Sequence, residues 1–153
     1  MPTLPRVEID ALFHGPDWMP RPTFVDDVRR FVATPEWVTE WQYGPVLPLL
    51  AARADLLVWL DLPRFRVTAQ VVRRTLRRRL RRQRLWNGNV EPPLRTFLTD
   101  PEHIVRWAWS THPRTSERVA ALRALRPELV AVRLPGRRAV GQWVDGPLAR
   151  AAT

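Results

Sequence analysis

The sequence predicts an α/β protein, a mostly parallel sheet with flanking helices. Three observations predict it. Short apolar runs of strand length alternate along the chain with segments whose apolar residues recur at helical spacing. The stretch "DLLVWLDLP", Asp55 to Pro63, holds five consecutive apolar residues, Leu56 to Leu60, as in a parallel strand buried on both faces. Pro22, Pro45, Pro63 and Pro101 stand where helices would begin, the position at which proline is tolerated.

The elements follow in order. Arg6 to Ile9 reads as a short strand ending at Asp10. Pro22 to Val32 reads as a helix, with Phe24, Val28, Phe31 and Val32 on one face. "WVTEW", Trp37 to Trp41, reads as a second strand, and Pro45 to Ala52 as a short apolar helix. Leu56 to Leu60 is the clearest strand, with Trp59 expected in the core. A long helix is expected from Arg64 to Arg84, with Val67, Val71, Leu76 and Leu80 as its apolar stripe. Leu85 to Pro93 is a loop. Asp100 to Thr111 reads as a helix with Asp100 as N-cap. It is expected to break at His112-Pro113 and to resume from Thr115 to Leu125. Glu128 to Leu134 is the fourth strand, and Arg137 to Val144 a closing helix. The 153 residues fit one domain.

Composition narrows the chemistry. There is no cysteine, which excludes disulfides and thiolate metal sites and suits a cytoplasmic protein. No apolar run reaches transmembrane length, and the N-terminus lacks the pattern of a signal peptide. The net charge is +10, and all 25 basic residues are arginine. Without lysine there is no Schiff base and no phosphate-loop lysine. Anions must be held by arginine forks, backbone N–H groups or helix N-termini. A GC-rich coding sequence accounts for arginine usage equally well.

Asp10, Glu40 and Asp61 each fall at or just past the C-terminal end of a predicted strand, the edge at which open parallel sheets bind ligands. Such carboxylates hold Mg²⁺ through water or accept a proton from a substrate hydroxyl; their bland alternative is helix capping. "RRTLRRRLRRQR", Arg73 to Arg84, holds eight arginines in twelve residues. It reads as a nucleic-acid-binding helix, as a lid over nucleotide phosphates, or as a solvated face. Trp18 and Trp41 follow the carboxylates and are candidates to shape a substrate pocket, although packing is the commoner use of tryptophan. Trp107 and Trp109 point to different sides of their helix. His14, His103 and His112 show no metal spacing, and no serine stands in a nucleophile elbow.

The order "VEIDALFHGPDW", "WVTEWQYG", "ADLLVWLDLPR", "VVRRTLRRR" and "VAVRL" resembles the adenylate-kinase-like P-loop kinases of the topology modulation protein type, over nearly the whole chain. That family opens with a strand, a G-x-x-G-x-G-K-[ST] loop and a helix, none of which precedes Asp10 here. The resemblance therefore implies an N-terminally truncated P-loop kinase-like domain whose central strand and phosphate loop are missing. Unpaired strand edges would favour oligomers.

For an intact relative the resemblance implies ATP- and Mg²⁺-dependent phosphoryl transfer to a nucleotide or other small acceptor. Asp10 would lie near the acceptor. Glu40 and Tyr43 in "TEWQYG" would line the acceptor site, with Trp18 and Trp41 beside it. Asp61 would help to organise Mg²⁺. Arg74, Arg78 and Arg82 would serve the lid, within an arginine-rich segment over 64–93. Arg137 would approach the nucleotide. Without the phosphate loop the chain is expected to be inactive. Nucleic-acid binding through the arginine helix, or a non-catalytic interaction module, stand as alternatives.

Overall fold

The computed structural model describes residues 5–81, 83–89 and 104–151. Arg82, Asp100, Pro101 and the end of the loop that follows Asn89 lie outside the described residues. The chain divides into two compact units, one within Met1–Ala54 and Arg84–Val90, the other within Asp55–Gln83 and Glu91–Thr153.

The first unit is helical. Helices α1 (Ile9–Phe13), α2 (Phe24–Val32) and α3 (Leu47–Arg53) bury one core of Ile9, Phe24, Val28, Val32, Val46 and Leu50. Burial of each such aliphatic or aromatic side chain contributes about 1.5–3 kcal/mol. The expected strand at Arg6–Ile9 is reduced to one bridged residue, Arg6, and its last residue, Ile9, opens α1. Ile9, Leu12 and Phe13 turn inward at a spacing of three and four, so the helical period prevails over the alternation of Val7 and Ile9. The strand expected at Trp37–Trp41 shrinks to a single parallel bridge between Arg6 and Val38. In it the Val7 N–H donates to Val38 O and the Val38 N–H to Pro5 O, both at 2.9 Å.

Helix α2 follows the predicted pattern, with acids in its first turn and arginines in its last, as the helix dipole favours. The Thr23 hydroxyl donates to Asp27 at 2.9 Å, and Arg21 and Arg30 pair with the same carboxylate. The Thr23 hydrogen bond is the largest cause holding the Asp27 carboxyl below its ordinary value, with the two arginines adding to it.

The second unit holds the sheet. Strands β1 (Leu56–Leu60) and β2 (Val130–Leu134) pair in parallel, Leu56 opposite Val130 and Leu60 opposite Leu134. The α/β class and the parallel pairing are thus present, but the sheet has two strands among the described residues. β1 is not buried on both faces: Leu56 and Leu60 are 42% and 56% exposed, and Trp59 is half-buried with Arg133 over its ring at 5.3 Å.

Between the strands run α4 (Arg64–Leu80) and α5 (Ile104–Leu125), which pack on each other. α4 ends at Leu80 rather than Arg84. Its inward face is centred on Thr75, which is buried; Val67 and Val71 of the expected stripe are half-buried on that side, whereas Leu76 is 37% and Leu80 82% exposed, so the stripe holds only in its first half.

α5 runs unbroken through Pro113, against the expected break. Proline lacks the N–H that would bond the carbonyl four residues earlier, that of Trp109. Arg64 supplies the missing donor: its Nε donates to Trp109 O at 2.7 Å while its guanidinium stacks over the Trp109 ring at 3.8 Å. The His112 Nε2 lies 2.8 Å from Leu62 O and ties the preceding residue to the start of α4. After β2, α6 (Arg137–Trp143) continues into a wider turn at Val144–Leu148.

Candidate functional site

In the first unit three polar side chains meet at the edge of the aromatic core. The Tyr43 hydroxyl donates to Asp10 Oδ1 at 2.6 Å and lies 3.2 Å from His14 Nε2. The phenol has one hydrogen, and Asp10 takes it. Its oxygen therefore accepts from the His14 Nε2–H. His14 Nδ1 is buried with no hydrogen-bond partner among the described residues. Burial first, then the hydrogen bond to Asp10 and the negative charges of Asp10 and Glu40, push the Tyr43 phenol far above its ordinary value. Tyr43 is therefore a fixed donor and not a phenolate nucleophile.

The local sequence explains the placement. Asp10 and His14 stand four residues apart on the helical turn of α1, so both reach one side. Glu40 accepts from the Ile9 N–H at 3.1 Å, capping α1 and anchoring the segment that carries Tyr43. Arg6 joins Glu8 and Glu40 at 3.2 and 3.7 Å. Phe13 stacks on the Tyr43 ring with centroids 4.1 Å apart.

Two loops enclose His14. "HGPDW" closes on itself where the Gly15 N–H donates to Met19 O at 2.7 Å. "LWNGN" closes where the Leu85 N–H donates to Asn89 O at 2.7 Å. The buried Asn89 amide clamps one to the other, donating to Gly15 O at 2.8 Å and accepting from the Trp18 N–H at 3.2 Å. Asn87 donates to His14 O, and the Trp86 indole to Glu8 at 2.6 Å. Trp18 meets the His14 ring edge-on at 5.0 Å, and Trp86 lies nearly parallel to it at 6.3 Å. Asp17, Trp18, Tyr43 and Asn87 have φ between 53° and 64°. For bulky aromatic residues this backbone is rare, and strain of about 1–3 kcal/mol each is typical of functional sites.

The structure thus brings together Asp10, Tyr43, Glu40 and Trp18 of the predicted residues. Two of them come with a correction: Asp10 lies in the first turn of α1 and Glu40 caps it, so neither ends a strand. Trp41 is placed differently, against the core with its indole donating to Leu47 O at 3.3 Å. His14, Trp86 and Asn89 escaped the sequence reading. A helical reading of 9–13 would have aligned His14 with Asp10, and the Asn-Gly turn marked the second loop.

The remaining candidates belong to the second unit. Arg133 binds the Asp61 carboxylate through Nε at 2.7 Å and Nη2 at 2.5 Å. Arg74 and Arg137 are exposed and Arg78 is half-buried. Asp61 does not fit the implied Mg²⁺: its carboxylate is held by a guanidinium, and no group of three or more His, Asp or Glu among the described residues is arranged to hold a metal. No helix among the described residues is long and apolar enough to cross a membrane. Compared with protein-family models, curated proteins and solved structures, the chain matches none.

Proposed function

We propose that the first unit carries the acceptor side of a P-loop kinase-like phosphotransferase. Its acceptor is a small hydroxyl- or amino-bearing molecule without a phosphate of its own. The observation that carries this reading is the 2.6 Å hydrogen bond between Asp10 and Tyr43, residues 33 apart in sequence that the family resemblance assigns independently to acceptor binding.

The chemistry on offer is that of hydrogen-bond acceptors. With Oδ1 engaged by Tyr43, Asp10 Oδ2 is the oxygen that takes the proton of an attacking hydroxyl. Tyr43 fixes the carboxylate, and the His14 N–H in turn fixes Tyr43. A phosphate-bearing acceptor fits less well. Four of this unit's six arginines, Arg6, Arg21, Arg29 and Arg30, are each tied to a carboxylate, which leaves the exposed Arg53 and Arg84. The donor side needs ATP held by a phosphate loop that the 153 residues do not contain. Asp61 does not supply the metal site. The property tested on these residues is therefore acceptor binding.

Binding is read from the change in intrinsic tryptophan fluorescence, to which Trp18 and Trp86 contribute among the chain's eight tryptophans. Adenosine and cytidine are titrated against their 5′-monophosphates, with calorimetry as the second readout. The nucleosides should bind, the monophosphates more weakly, and Asp10→Asn should weaken nucleoside binding about tenfold, near the 1.4 kcal/mol of a charge-assisted hydrogen bond. Failure of both nucleosides to bind, or full binding by Asp10→Asn, would overturn the assignment. Tighter binding of the monophosphates would restore a nucleotide as the acceptor.

A further inference from the structure

The positive charge of this chain is not spread over it. The sequence within the first unit carries six arginines against seven acids, and that within the second carries nineteen arginines against eight. A compositional bias toward arginine would load both. The excess is concentrated on α4, and the structure sorts its arginines. Arg64, Arg78 and Arg79 are half-buried, on the side of the helix where Thr75 is buried. Arg66, Arg73, Arg74, Arg77 and the C-cap Arg81 are exposed. At 100° per residue, Arg66, Arg73, Arg77 and Arg81 fall on one narrow stripe with Arg74 beside it. The stripe runs about 22 Å along the axis at 1.5 Å per residue.

α2 provides the contrast within the same protein. Its arginines each meet an acid one turn away, Arg29 with Asp26 and Arg30 with Asp27. α4 has no such partner: there is no Asp or Glu anywhere from residue 62 to 90. Its four-residue neighbours are like charges, Arg73 with Arg77 and Arg77 with Arg81, an arrangement that disfavours the isolated helix. None of the five exposed arginines forms an ion pair with a described carboxylate; Arg66 alone has a ring beneath it, Phe65 at 5.9 Å. A face made only to be soluble would be better built as α2 is. A lid over one nucleotide needs arginines converging on a point, whereas these lie in a line.

We propose that this stripe of α4 binds the phosphate backbone of a nucleic acid, without reading its sequence. A linear row of guanidinium groups complements a linear polyanion. Duplex DNA presents about one charge per 1.7 Å of axis, so phosphates are available along the whole stripe. The interaction is counterion release, and its mark is salt dependence. Five contacts correspond to a slope of log K on log salt of about −4 to −5 for a duplex and about −3 to −4 for a single strand.

The test is a fluorescence-polarisation titration of the full chain, over a series of salt concentrations. The probes are one short labelled sequence as duplex DNA, as single-stranded DNA and as RNA, with vesicles of phosphatidylserine and phosphatidylcholine alongside. Arg73→Gln/Arg77→Gln/Arg81→Gln is compared with Arg114→Gln/Arg118→Gln/Arg123→Gln, which removes the same charge from exposed positions of α5. The α4 variant should lose more than tenfold in affinity and flatten the slope by about two to three. The α5 variant should change both by less than half as much. Both should keep the circular dichroism of the parent, since glutamine suits a helix as well as arginine does. The three nucleic-acid probes identify which form is preferred. Equal losses in the two variants, a flat salt dependence, or binding to the vesicles but not to the nucleic acids would overturn the proposal.

Discussion

Asn89 shows how much of the site rests on single polar atoms. Its side-chain amide is buried, and both ends are used, Nδ2 by Gly15 O and Oδ1 by the Trp18 N–H. Removing it takes away the bonds to the buried Gly15 O and to the Trp18 N–H, and a buried group left unsatisfied costs about 1–3 kcal/mol. Asn89→Ala should therefore destabilise the chain by at least about 1–3 kcal/mol in a urea titration and shift tryptophan emission to the red. Unchanged stability would mean that the two loops do not depend on the clamp. At this scale the sequence was informative about Asp10, Glu40 and Trp18, because acids and aromatics clustered after apolar runs are visible without coordinates, while Tyr43 came from the family resemblance. It was silent on the left-handed backbone at Trp18 and Tyr43, since neither residue type announces such a conformation. His14 was passed over because 6–9 read as a strand, which separated it from Asp10.

Elements were legible where one periodicity ruled. α2, β1 and β2 follow the expected spans closely because each is a single, strongly patterned run. α1 failed because five residues hold too few turns for the helical period to stand out from Val7 and Ile9. Trp37 to Trp41 has strand-like composition, but among the described residues Val38 alone is bridged to another extended segment. The break expected in α5 failed for a different reason: a residue 49 positions away, Arg64, repairs the hydrogen bond that Pro113 removes. This repair is testable by a double-mutant cycle. Arg64→Ala should cost about 1.5–3 kcal/mol, the value of a hydrogen bond from a charged donor. In a Pro113→Ala background the restored N–H competes for Trp109 O, and the same change should cost measurably less. Equal costs in the two backgrounds would show that Arg64 acts through its stacking on Trp109 alone.

For the whole molecule, alternation of apolar runs established the α/β class and the parallel pairing, but the extent of the sheet could not be read from it. Strand pairing is a property of two segments, and among the described residues only β1 and β2 satisfy each other's backbone groups over a full strand. Charge is divided as clearly as structure. A near-neutral unit holds the Asp10–Tyr43–His14 cluster, and a strongly basic unit holds the arginine stripe. The chain therefore presents two surfaces of different chemistry, one suited to a small hydrogen-bond donor and the other to a polyanion.

The account depends most on the contact between Tyr43 and Asp10, and Tyr43 is the one tyrosine of the chain. Its phenolate absorbance therefore reports Tyr43 alone. An unfolded tyrosine ionises near pH 10. Because the folded phenol holds its proton far above its ordinary value, its contribution to stability is complete below that pH and is lost as pH rises toward the folded value. In a spectrophotometric titration the native protein should show no phenolate at about pH 10–11, its absorbance rising only with alkaline unfolding followed by circular dichroism. Asp10→Asn should bring the ionisation of the folded protein down toward the ordinary range. A native phenol that ionises near pH 10 without unfolding, unchanged by Asp10→Asn, would contradict the cluster and the acceptor site built on it.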